Sequence, residues 1–324
     1  MNKILENRCD ELIRAYGLLK EKEKFEDEHN ILAGAGLFMA SGKEINTARI
    51  EACSRIIDAN TGLFSELRGL CKYIIRCKMA LSKNPAVYFD DVARIYKELD
   101  PGIFTSDGSV AAAMVVADYM NGNEEKLVAD TLAIYKEMRK AHSFLTDGDD
   151  LPFAALMAAS GKDPFEIHER AEAAYELLRG RFKAERDTLQ SLSHILSLYD
   201  EDLKEMCESI SDIGNALKEA GHSLGGSVRA AILGLLMNSG KSETELVEEI
   251  LEADEYLKQF APFKGIFGFE KSDRCMYAVL CVQSANESTG KASLSATVSA
   301  VVQMAIVARM QEAAIQAATA AATM

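Results

Sequence analysis

Apolar runs recur along the chain with a period of about 40 residues, within the range of helical repeats, and most are led by a phenylalanine, at Phe25, Phe64, Phe104, Phe144, Phe182 and Phe267. Two further ladders keep the same step. One is a series of turns centred on Gly42, Lys83, Gly122, Gly161, Asp200 and Gly240. The other is tyrosine, at Tyr16, Tyr96, Tyr135, Tyr175 and Tyr256, with Ile56 and Ala216 filling the two missing steps. A unit of this length cannot bury a core alone and must stack on its neighbours.

Within a unit the pattern predicts a helical hairpin. After a turn, Ile167, Ala171, Ala174, Tyr175 and Leu178 follow a helical period, as do Leu246, Ile250, Ala253 and Leu257, so each such segment has one buried face. The segments before the turns, such as 111–120, 154–160 and 228–238, are apolar nearly all round, as expected of a helix packed on both sides. Asn84-Pro85 and Asp163-Pro164 read as a cap followed by a first-turn proline, and Ser242 with Glu245 as a capping box. The turn glycines suit the left-handed position just past a helix end. Runs alternating apolar and polar between hairpin turns are absent. The expected fold is therefore all-α, with about seven stacked hairpins arranged as an open α-solenoid or a closed α/α toroid.

Residues 1–290 are expected to form one helical-repeat domain, with 1–24 as an N-terminal capping helix, and 291–324 an alanine-rich helix or tail. The stretch 292–308 carries no charge but is interrupted by Ser293, Ser295, Thr297, Ser299 and Gln303. It also falls short of the roughly 20 predominantly apolar residues that a membrane span needs. A helix that covers the last repeat, or pairs with a second copy through small side chains, fits better.

Charge narrows the partners. A formal net charge of -14 disfavours nucleic acid and anionic membranes and favours a protein or basic peptide. The seven cysteines include no C-x-x-C pair, which points to free thiols in a reducing cytoplasm. Glu6, Asp10 and Glu11 interrupt the start, where a signal peptide would be apolar.

Several strings imitate catalytic motifs. Gly221-His222-Ser223-Leu224-Gly225 matches a nucleophile elbow, yet a helical pattern precedes it and no histidine lies beyond the serine. Gly234 to Ser242 nearly spells a phosphate loop, with five residues between its glycines where the loop takes four. Asp147-Gly148-Asp149-Asp150 is similar to the acidic motif of terpene cyclases, whose carbocation chemistry needs an aromatic cavity; this chain has no tryptophan. Asp273 and Cys275 resemble two zinc ligands of protein prenyltransferases, without a following histidine. His142, His168 and His194 are spaced out of phase with the repeat, so the spacing does not put them on one face. The sequence indicates no catalytic residue, metal ligand or cofactor.

One polar feature repeats in register. Three residues after the phenylalanines stand Glu28, Asp107, Asp147, Glu185 and Glu270, with Leu67 as the exception. A carboxylate there would cap or lie in the first turn of the next helix, favourable to its dipole by about 0.3–1 kcal/mol. The functional alternative is an acidic rim for a cation or basic segment, made of Asp107, Asp147, Asp149, Asp150, Glu185 and Asp187. The tyrosines are expected at hairpin interfaces with their hydroxyls reaching the edge.

The joints around 102–107, 144–152 and 221–225, together with the alanine-rich end, resemble those of a bacterial family of unknown function, DUF4003. The resemblance implies a bacterial cytosolic setting and carries no activity or site with it. Function is thus unassigned by the sequence. Stacked hairpins without a complete catalytic constellation point first to a non-enzymatic interaction or scaffold protein. The alternative is an enzyme or small-ligand binder with its site at the helix joints, which a closed ring would favour. A third reading is membrane association through 292–324.

Overall fold

Capping chemistry fixes where the helices begin. Asn84 and Asp163 accept hydrogen bonds from first-turn amides with proline behind them, and Ser242 and Glu245 exchange bonds as a capping box. Gly42, Gly122, Gly161 and Gly240 have φ between 62° and 76°, the left-handed turn that ends or follows a helix.

The computed structural model describes residues 1–62, 65–69, 71–99, 107–222, 224, 227–265 and 268–286. Its α-helices are α1 (Lys3–Lys22), α2 (Glu28–Ser41), α3 (Thr47–Asn60), α4 (Lys72–Leu81), α5 (Pro85–Glu98), α6 (Asp107–Tyr119) and α7 (Glu124–Ala141). They continue as α8 (Leu151–Ala159), α9 (Pro164–Arg181), α10 (Arg186–Ser197), α11 (Leu203–Glu219), α12 (Glu243–Leu257) and α13 (Lys271–Asn286). Three 3-10 segments are interspersed, Glu66–Arg68, Gly148–Asp150 and the longer Ser227–Asn238. Among the described residues there is no strand, so the chain is all-α.

Two kinds of helix alternate. α9 buries a single stripe, Ile167, His168, Ala171, Ala174, Tyr175 and Leu178, whereas every residue of α8 from Leu151 to Ala158 is buried. Each enclosed helix packs on its partner in sequence: α1 with α2, α3 with α4, α5 with α6, α7 with α8, α9 with α10, α11 with 227–238, and α12 with α13. Enclosed helices also pack on one another, α2 on α4, α6 on α8, α8 on α10, α10 on 227–238, and 227–238 on α13. The first and last pairs meet as well. α1 packs on α12 and α13, and α13 on α2; Tyr256 donates to Asp10 at 2.6 Å, Asn2 to Glu249 at 2.8 Å, and Cys281 Sγ lies 3.8 Å from Met39 Sδ.

The phenylalanine ladder divides. Phe182 is buried, but Phe25 and Phe144 are fully exposed. Both sit in turns, where the following apolar helix, not the phenylalanine, supplies the buried face. Phe64, Phe104 and Phe267 lie outside the described residues, as does the whole of 291–324, with the cap, pairing and span considered for it. Among the described residues no helix is long and apolar enough to cross a membrane.

The 234–242 string is explained by packing. A Cβ on Gly234 would stand 2.6 Å from Ile195 Cγ2, so glycine lets 227–238 press against α10. Lys241 pairs with Glu249. The corresponding lysine after Gly161 donates to the carbonyls of Ser197, Leu198 and Tyr199, each at 3.2 Å, and Lys43 donates to Leu81 at 2.7 Å. Lys43 and Lys162 cap the ends of neighbouring helices, a role unrelated to phosphate binding.

Candidate functional site

The helix joints carry most of the chemistry, beginning with the six expected acids. Asp147 caps the 148–150 segment, accepting from the Asp149 amide at 2.9 Å, while Asp150 accepts from the Asp147 amide at 3.0 Å and is itself buried. Asp107 opens α6. A Cβ on the adjacent Gly108 would meet the Gly148 carbonyl at 2.0 Å, so the two joints touch. Asp107 and Asp149 both act on Cys71, whose thiol is pushed well above its usual value first by burial and then by Asp107. Tyr135 donates its hydroxyl to the Asp147 carbonyl at 2.9 Å, as expected of a ladder tyrosine reaching an edge. Glu185 and Asp187 stand at the start of α10, which meets the Asp147 joint where Gln190 donates to the Thr146 hydroxyl at 2.9 Å.

Glu185 lines a cavity of about 290 Å³. Its apolar wall comes from Phe182, Leu217, Leu224 and Ala230, and its polar side from Lys183, Lys218, Glu185 and Thr188. Thr188 is fully buried and its hydroxyl makes no hydrogen bond. An unsatisfied buried hydroxyl costs about 1–3 kcal/mol, and this one lies behind the cavity surface. Lys218 is held in place by the Lys183 carbonyl at 3.0 Å.

On the other side of the same joint lies a buried charge cluster that the sequence reading missed. α11 is followed by Gly221, with φ at 76°, and the His222 amide returns to the Leu217 carbonyl at 2.7 Å. That turn sets the imidazole inward, with Nδ1 3.2 Å from Asp254 Oδ2. Arg274 donates to the same oxygen at 2.9 Å. One residue earlier on α13, Asp273 faces the opposite way and accepts from Arg229 at 2.8 Å. The first turn of α13 therefore joins α12 on one side and 227–238 on the other through two buried ion pairs. Such pairs add little net stability, because desolvation offsets the attraction. Burial holds His222 below its ordinary value, against the pull of Asp254.

His222, Asp254 and Glu255 place their donor atoms within 4.8 Å of one another, a grouping able to hold a metal ion. Asp273 and Cys275, the pair that resembles two zinc ligands, do not take part. Asp273 is engaged by Arg229, and the Cys275 thiol, pushed up to about 12 by burial, donates to the His222 carbonyl at 3.4 Å. Ser223 and Gly225 of the elbow-like string lie outside the described residues; the segment ahead of them, α11, is a helix and not the strand an elbow requires.

The three out-of-phase histidines share a neighbourhood after all. His142 stands 2.9 Å from Glu172 and stacks near Tyr175, His168 lies buried one turn before Glu172, and His194 is depressed to about 3 by burial, with His168 and His142 adding to it. The interface of α7, α9 and α10 brings together what linear spacing separates. All seven cysteines are unpaired and buried.

Comparison with known proteins adds kinship without chemistry. A family model described as "Protein of unknown function (DUF4003)" matches residues 15–313. "Uncharacterized protein YeaA" of Bacillus subtilis (strain 168) is 25% identical over 212 residues, an alignment spanning 63% of this chain and 64% of that protein. No solved structure matches.

Proposed function

This chain belongs to the DUF4003 family of unknown function, and from that footing we propose that its hairpins close into one α/α toroid that binds a small ligand at a helix joint. The packing of α1 and α2 against α12 and α13 supports closure. A closed ring withdraws the long concave groove by which an open solenoid binds extended partners. That shifts the balance from scaffold to small-ligand binder or enzyme.

The observation that carries the reading is the joint cavity, with an apolar wall facing a charged one. At about 290 Å³ it sits near the lower end of ligand pockets, which run from roughly 300 Å³. One wall is apolar and the other offers two lysines and a glutamate, which suits a molecule of amino-acid size with a charged end and an apolar body. Buried reduced thiols fit a cytoplasmic protein.

A thermal-shift screen with free amino acids and short-chain carboxylic acids tests it, since a ligand bound only to the folded state raises the midpoint. At least one probe should stabilise the wild type and lose its effect in Lys218→Met, which removes a charge from the lining, and in Ala230→Leu, which fills the cavity. If no probe shifts the midpoint, or the shift survives both substitutions, the reading fails.

A further inference from the structure

We infer that His222, Asp254 and Glu255 form a site for a divalent first-row transition-metal ion, separate from the joint cavity and standing whether or not that cavity binds a ligand. The donors are one imidazole nitrogen and two carboxylates, all within 4.8 Å of one another. Bonds of about 2.0–2.2 Å from one ion span that spacing once the exposed Glu255 side chain adjusts. Mixed nitrogen and oxygen donors suit manganese, iron, cobalt or zinc better than calcium or magnesium, which prefer oxygen alone.

Two buried atoms point at a ligand independently of this grouping. Asp254 has 0% of its surface exposed, yet its Oδ1 accepts no hydrogen bond. His222 Nδ1, although near Asp254 Oδ2, likewise makes no hydrogen bond. A carboxylate oxygen that no protein donor reaches is costly in a protein interior, and a cation is a ligand that satisfies both atoms at once.

The surroundings are those of a supported metal site. Arg274 fixes the second Asp254 oxygen at 2.9 Å and leaves Oδ1 to the ion, the outer contact that orients a ligating carboxylate. His222 is held on both sides of its backbone, by Leu217 through its amide and by Cys275 through its carbonyl. Glu255 is exposed and paired with Lys258 at 3.0 Å, so the third ligand lies on the solvent side and leaves room for water on the ion.

Manganese is the discriminating probe, because thiols bind it weakly and the seven cysteines then do not interfere. Titration of the tag-free, metal-stripped full chain with Mn2+, followed by the loss of free-ion electron paramagnetic resonance signal, should show one site per chain. Zn2+ should compete for it. Glu255→Gln, an exposed change that spares the fold, should weaken binding by at least the roughly 10–100-fold that even outer-shell substitutions cost. His222→Gln and Asp254→Asn should remove it, with circular dichroism checking that they remain helical. No binding by the wild type overturns the proposal, and so does Mn2+ affinity unchanged in Glu255→Gln. Neither result touches the amino-acid screen, whose variants lie in the cavity on the far side of the joint.

Discussion

Lys162, in the turn after α8, reaches the carbonyl of Tyr199 at 3.2 Å, just past the end of α10 and one hairpin further along the chain. Its ammonium also serves Ser197 and Leu198 and lies 2.8 Å from Asp200. A positive charge on the carbonyls at a helix end is favoured by both hydrogen bonding and the helix dipole. Lys162→Met keeps the stem and removes the charge, so it should destabilise the protein by about 1–2 kcal/mol in urea titration. A change within error would mean that water replaces the lysine at no cost.

Gly234 and Ile195 make a sharper test of helix packing. Gly234→Ala places a methyl 2.6 Å from Ile195 Cγ2 and 3.2 Å from its Cβ, which forces 227–238 away from α10. Overpacking of this kind costs about 1–3 kcal/mol. Ile195→Ala alone should cost about 2–5 kcal/mol through the cavity it leaves. Because each change relieves the other, the double variant should be more stable than the sum of the two costs predicts. Strict additivity in a double-mutant cycle would contradict the contact.

The all-helical fold was legible because it is written in local signals. Caps at Asn84, Asp163 and Ser242, glycines at Gly42 and Gly161, and the period through Leu246 and Ile250 each act within one turn of helix. The candidate metal site was not, because His222, Asp254 and Arg274 come from three elements and meet only after packing. A signal was nevertheless present. Asp254 lies four residues after Ile250 and three before Leu257, a carboxylate on an otherwise apolar stripe, and Asp273-Arg274 opens a helix buried nearly all round. Charges at buried helical positions need partners, and that need could have been read before the structure. The histidines show the limit of the period argument, since residues out of phase in sequence still meet where three helices converge.

His194 and His168 make stability depend on mild acid. His194 is fully enclosed in α10, near Phe153 of α8, and is held at about 3 against an ordinary 6.5 by burial, with His168 and His142 adding repulsion. Burial lowers His168 as well, while Glu172, Glu137 and Glu169 pull it back. The unfolded chain takes up a proton near 6.5 and the folded His194 does not until about 3, so stability falls as pH drops through that window. Each such proton steepens the loss by about 1.4 kcal/mol per pH unit. Urea midpoints measured from pH ~6.5 down to ~5, above the range where carboxylates dominate, should decline in the wild type and decline less in His194→Gln. Equal slopes would show that His194 is protonated in the folded state or open to water.

The proposed closure into a ring is tested where the first and last helix pairs meet. In an open array, removing the first helix uncovers only its neighbour, and the far end keeps its protection. Here α1 packs on α2, α12 and α13, and Tyr256 donates to Asp10 at 2.6 Å, a bond that lifts the tyrosine to about 12. A chain lacking residues 1–24 should therefore lose amide protection in α12 and α13 as well as in α2, although α12 does not begin until Glu243. Tyr256→Phe, which removes one hydrogen bond and leaves α1 in place, should cost only about 0.5–1 kcal/mol and leave the exchange pattern intact. Unchanged protection of α12 and α13 in the truncated chain would mean that the two ends touch without supporting each other, and the toroid would have to be given up for a solenoid whose ends lie side by side.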